Sequence, residues 1–104
     1  MSISEKNIRI VNKILKKHFP EAQVIVFGSR AFGTNKTYSD LDLAIYFDNH
    51  EITSMSLANA TQDFIESDLP FSVDLVNLKK VDSNLKAQII NEGKDWEIFA
   101  SLPV

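Results

Sequence analysis

Residues 41–47, LDLAIYF, alternate in character. Leu41, Leu43, Ile45 and Phe47 fall on one face of an extended chain, and Asp42, Ala44 and Tyr46 on the other, with Asp40 just ahead of them on that second face. The spacing predicts a strand that buries its aliphatic face and carries two carboxylates at its head. An unpaired carboxylate in an apolar interior is costly, and a like-charged neighbour raises the cost. Asp40 and Asp42 must therefore meet water or a cation. Two acids two residues apart on a strand project the same way and can hold one or two divalent cations. Mg²⁺ suits them, because it takes oxygen ligands from a couple of carboxylates together with substrate phosphates.

The rest of the chain supplies elements for this strand to pack against. Ser4 is placed to cap a helix in which Ile8, Val11, Ile14, Leu15 and Phe19 recur at three- and four-residue spacing, ending before Pro20. Residues 23–27, QVIVF, read as a buried strand that stops at Gly28. After a polar connection over 48–53, Met55, Leu57, Ala58, Ala60, Thr61, Phe64 and Ile65 mark a helix that ends before Pro70. A third strand is expected over 71–78, with Val73 and Leu75 on one face and Ser72, Asp74 and Val76 on the other. Ser83 or Asn84 can cap a last helix through Leu85, Ile89 and Ile90, stopped by Gly93 as a left-handed C-cap. Trp96, Ile98 and Phe99 are expected to return over the core, with Trp96 as its lid, and Pro103 lies beyond the elements. This order predicts an α/β (α+β) fold, a small mixed β-sheet with helices packed on it, in a single domain over 1–104.

Composition narrows the function classes. A chain of 104 residues with no Cys can form no disulfide. Its apolar runs, such as 24–27, are far short of the ~20 residues a membrane span needs. No basic and apolar leader pattern is present, so a cytoplasmic protein is expected. The net charge of −3 argues against a surface that binds nucleic acid as a whole. Charge is nonetheless uneven, because Lys6, Arg9, Lys13, Lys16 and Lys17 crowd the first helix against Glu5 alone. The Arg9, Lys13 and Lys16 stripe reads as a solvated face. His18 and His50 lack a second His or Cys at ligand spacing, which argues against zinc.

Chemistry concentrates in one stretch. Residues 28–39 contain Arg30 and Lys36 with no acid, followed at once by Asp40 and Asp42. Gly28-Ser29 ends a strand where the chain turns towards a helical segment, and such a turn offers backbone N–H groups to an anion. Gly28 allows close approach of a phosphate, the Ser29 hydroxyl can donate to it, and Arg30 or Lys36 can neutralise further charge. Asp40 alone could instead cap a turn after Tyr38-Ser39, and Arg30 and Lys36 could be solvated loop charges. Asp74, in the middle of the third strand, has the same burial problem as Asp42. If the third strand lies beside the second, all three carboxylates converge on one metal cluster. A phosphate cradle with three such acids describes a site for phosphoryl or nucleotidyl transfer.

The string GSRAFGTNKTYSDLDLAIYF, with VDLV downstream, resembles the minimal nucleotidyltransferases of the DNA-polymerase-β superfamily over about residues 23–78. The resemblance implies the trimmed superfamily palm. Gly28 and Ser29 would grip the nucleotide phosphates, Asp40 and Asp42 would hold two Mg²⁺ ions, and Asp74 would be the third acid, which helps activate the attacking hydroxyl. It further implies ATP as substrate and a helical HEPN-type partner chain. In one branch AMP passes to a tyrosine of that partner, a toxin thereby silenced. The stretch ESDLPFSVDLV looks like the branch with a separate helical substrate-binding chain. The alternative is a binding-only antitoxin that covers its HEPN partner without catalysis. A stand-alone antibiotic-modifying enzyme would need a further helical domain.

Overall fold

Ser4 starts the first helix as expected, its side-chain oxygen accepting the Asn7 N–H at 3.3 Å. In the computed structural model, which describes residues 3–36 and 38–101, helix α1 (Glu5–His18) buries Ile8, Val11, Ile14 and Leu15. Phe19 closes the helix by donating its N–H to the Leu15 carbonyl, and Pro20 follows. Pro103 lies outside the described residues.

Strand β1 (Gln23–Phe27) pairs antiparallel with β2 (Leu41–Tyr46). A crossover through helix α3 (Ser54–Ile65) then returns the chain to β3 (Val73–Asn77), parallel to β2. Parallel neighbours need such a crossover, because a hairpin joins only antiparallel strands. A four-residue helix α2 (Ser29–Phe32) sits between β1 and β2. Helix α4 (Ser83–Glu92) leads into a two-residue strand β4 (Lys94–Asp95), antiparallel to β1, and helix α5 (Trp96–Ser101) completes the described chain. The strand order is β3-β2-β1-β4.

The alternation in 41–47 divides the molecule into two apolar layers. Leu41, Leu43 and Ile45 join Val24 and Val26 in the main core, covered by α1, α3 and α5 through residues such as Val11, Phe64 and Trp96. On the opposite face Ala44 packs with Leu78 and Ile89 of α4, flanked by Ile25, Phe27 and Val76. Because the sheet is covered on both sides, only the strand ends can carry polar chemistry.

The expected mixed sheet with packed helices is present, and the differences from the sequence reading have identifiable causes. The second strand ends at Tyr46 and the third occupies only Val73–Asn77. Asp82, rather than Ser83 or Asn84, caps α4, its carboxylate accepting the Leu85 N–H at 2.9 Å. Gly93 is not left-handed: it is extended at φ −73°, ψ 164°. Its constraint is steric, since a Cβ there would run into the Ile89 carbonyl and the Ile25 side chain. That closeness lets β4 pair with β1 directly after α4, a strand too short to register as a pattern. Trp96 and Phe99 cover the core, with the Trp96 indole N–H donating to Asn12 Oδ1 at 2.7 Å. Ile98, expected beside them, is 66% exposed on the outer side of α5. His18 is bound to Asp63 at 2.6 Å, and Lys17 shares that carboxylate at 3.0 Å, so α1 is tied to α3.

Gly93→Ala is expected to destabilise the fold by about 1–3 kcal/mol, the usual cost of forcing atoms into a packed contact, even though its backbone angles suit alanine. Urea denaturation of the two proteins measures this.

Candidate active site

The site is built where three strands reach the same end of the sheet. β1 finishes at Phe27, which lies opposite Asp42 on antiparallel β2, and Asp42 in turn lies opposite Asp74 on parallel β3. Neighbouring residues in register present side chains on the same face, so the two carboxylates stand side by side.

Gly28 closes the first strand with φ 76° and ψ −158°, a conformation that residues with a Cβ rarely enter. A second constraint coincides with the first, because a Cβ at this position would collide with the Asp42 carboxylate. Glycine therefore makes the turn possible and lets it rest directly against the acid. The chain then enters α2 at Ser29, and Gly33, at φ 75°, ends that turn in the left-handed conformation. The first N–H groups of a helical turn have no partner within it, which places donors beside Asp42.

The Asp42 carboxyl is pushed up to about 6, by burial first, then by the negative charges of Asp74 and Asp40, with a hydrogen bond to Asp74 adding to the rise. Asp74 and Asp40 are both solvent-exposed at the mouth of the site. A half-buried carboxylate crowded by two others is unfavourable in isolation, and a bound divalent cation would offset that crowding of negative charge. The donor set is entirely carboxylate oxygen, the chemistry Mg²⁺ prefers. The residues therefore fit the ion. The expected closed cluster is drawn more loosely, however. Among the described residues no three acidic or imidazole side chains already form a metal cage. Asp42 and Asp74 stand in register as neighbours, and Asp40 acts on Asp42 through its charge.

Arg30, which the sequence offers either to nucleotide phosphate or to solvent, is held by the protein itself. It is 2% exposed, with Nε and Nη2 donating to the Ser39 carbonyl at 3.0 and 2.8 Å, and its guanidinium lies 4.5 Å from the centre of the Phe71 ring. Burial lowers its pKa, and the Asp40 charge works in the opposite direction. The side chain thus fastens the residue just before Asp40 and the segment leading into β3. Its fork geometry explains the choice of arginine over lysine. Lys36, by contrast, is exposed. No local pattern separates a buried arginine from a solvated one in a glycine-marked loop. The partner that decides the matter, Phe71, is remote in sequence. Arg30→Ala is expected to cost about 2–4 kcal/mol through the emptied volume and the unpaired carbonyl, while altering ATP-analogue affinity of the folded protein by less than about threefold. Calorimetric titration alongside urea denaturation measures both.

Residues 9–96 match the family described as polymerase beta, nucleotidyltransferase. The chain belongs to this family. A Shewanella oneidensis protein named protein adenylyltransferase MntA is 32% identical over 110 residues, covering 94% of this chain and 75% of its own length. A Haemophilus influenzae protein also named for MntA is 39% identical over 77 residues, covering 74% of this chain and 67% of that protein. Among solved structures, a toxin–antitoxin complex with AMP-PNP superposes at a TM-score of 0.71 and 27% identity, covering 90% of this chain and 81% of the other. A mutant toxin–antitoxin MntA complex superposes at 0.67 and 26%, covering 94% and 80%.

Proposed function

We propose that this chain is a Mg²⁺-dependent nucleotidyltransferase that moves AMP from ATP to a hydroxyl on, or presented by, a helical HEPN-type partner, as the antitoxin and catalytic subunit of a two-component system. The reading places it in the cytoplasm and treats 1–104 as one nucleotidyltransferase domain. The observation that carries it is the in-register Asp42–Asp74 pair lying against the Gly28 turn. The relatives named for protein adenylyltransferase activity and the toxin–antitoxin neighbour with AMP-PNP support the choice of an adenine nucleotide and of a toxin as partner.

In this reading Gly28 and Ser29 receive the β- and γ-phosphates, and Asp40, Asp42 and Asp74 hold two Mg²⁺ ions. When bound, the ions lower the pKa of the acceptor hydroxyl and offset charge on the leaving pyrophosphate. The acceptor oxygen bonds to the α-phosphorus, the bond from that phosphorus to the bridging oxygen breaks, and pyrophosphate departs towards the glycine turn. Asp74, outermost of the three acids along the sheet, stands on the acceptor's side and helps to take up its proton. Most of the rate gain comes from position and charge, as is usual for this reaction class.

The test is incubation of the protein with labelled ATP, Mg²⁺ and the partner. Label on the partner with wild type and none with Asp42→Asn is the expected result. Absence of transfer by wild type removes the proposal. Suppression of partner toxicity by Asp42→Asn at matched expression would instead favour neutralisation by binding alone.

A further inference from the structure

A groove of about 500 Å³ opens between the C-terminal half of α3 and the segments that lead into β2 and β3. Its walls include Tyr38, Thr61, Ile65, Leu69 and Phe71, with Asp40 and Asp74 also in the lining. Tyr38 and Ile65 are each 70% exposed, although both are large and apolar enough to be expected inside. The volume is that of a ligand site and would accommodate a few side chains.

Its position follows from the topology. At one end of the sheet the strands present, in order, the Gly28 turn after β1, Asp42 on β2 and Asp74 on β3, and the groove is lined by Asp74 and Asp40 but not by Asp42 or the turn. Phosphoryl displacement places the attacking and leaving oxygens roughly in line on opposite sides of the phosphorus. If pyrophosphate leaves over the glycine turn, the attacking hydroxyl arrives over Asp74, through the groove. We propose that the groove is the acceptor channel: it binds a segment of the partner chain in which the reactive hydroxyl is flanked by apolar side chains, with Ile65, Thr61 and Tyr38 selecting that segment. This rests on the function proposed above. The mixed wall fits such an occupant. Apolar contacts from Ile65, Leu69 and Phe71 anchor the flanks, and the acids take the hydroxyl.

Ile65→Arg puts a long cation into the channel from a surface position, so the fold is expected to survive, and Thr61→Trp fills the channel without adding charge. Ile98→Arg, on the exposed side of α5, is the control. Steady-state AMP transfer to the purified partner and titration with AMP-PNP are measured for each. Both channel variants should raise the KM for the partner about fivefold or more, the loss typical of an anchoring contact, with AMP-PNP affinity unchanged and Ile98→Arg matching wild type. A smaller rise in both channel variants, or an equal rise in Ile98→Arg, overturns the channel while leaving the adenylyltransferase reading in place. Failure of wild type to transfer AMP at all overturns both.

Discussion

Asp42→Asn is expected to reduce AMP transfer by about 10³-fold or more and, at the same time, to make the protein harder to unfold at pH 7. Both effects have one origin. In the native state this carboxyl titrates at about 6 instead of the ordinary 3.8, because burial and the charges of Asp74 and Asp40 oppose its ionisation. Between those two values the native protein binds more protons than the unfolded chain, so stability declines as pH rises through the interval and the full penalty is present above it. A shift of this size corresponds to at most about 3 kcal/mol, and solvent screening of a partly exposed group brings the expected gain on substitution nearer to 1 kcal/mol. The advantage of the asparagine protein should therefore be complete at pH 7 and vanish below about pH 4. Urea denaturation across pH settles it, and a gain that persists in acid would contradict the assigned cause. Added Mg²⁺ should raise the denaturation midpoint of wild type and leave Asp42→Asn nearly unmoved, since only a state that binds the ion is stabilised by it.

Gly28→Ala is expected to damage the protein in two separable ways. The backbone there occupies a region open essentially to glycine, at a cost of about 1–3 kcal/mol for any other residue. The new methyl group also meets the Asp42 carboxylate, which must rotate or retreat. Transfer should fall by about 10²-fold or more, because displacement of a catalytic group by as little as an ångström is enough for a loss of that order. Gly33→Ala is the comparison: its φ is equally positive, but nothing lies within 4 Å of an added Cβ. It should show the backbone penalty with much less of the loss in rate. Equal loss of transfer in the two variants would refute the link between Gly28 and Asp42.

The contrast between these glycines shows what a sequence can and cannot reveal about the site. Alternation in 41–47 placed Asp42 opposite the aliphatic core face, and the same period placed Asp74 on the matching side of β3. Periodicity two is a local property, and it survives folding because one face of each strand must be buried. The pairing of β2 with β3 was a condition in the sequence reading, met in the structure through the α3 crossover. The surroundings of Arg30 are not legible in this way, for the opposite reason. Its burial depends on Phe71 and the Ser39 carbonyl, contacts fixed only when the loop closes over the sheet. Gly93 likewise looked like a helix terminator, whereas its role comes from Ile25, a residue far away in the chain. Local chemistry was legible, and long-range contact was not.

The parallel pairing of Asp42 with Asp74 also makes the molecule intolerant of misalignment. Sliding the third strand by a single position would bring Val73 or Leu75 alongside Asp42 and turn the displaced acid towards the oily interior. A chain that closes its crossover one notch out is therefore both poorly folded and chemically silent. Under the proposed function such copies would leave nucleotide untouched, so one pair of side chains would report both correct alignment and the capacity to act.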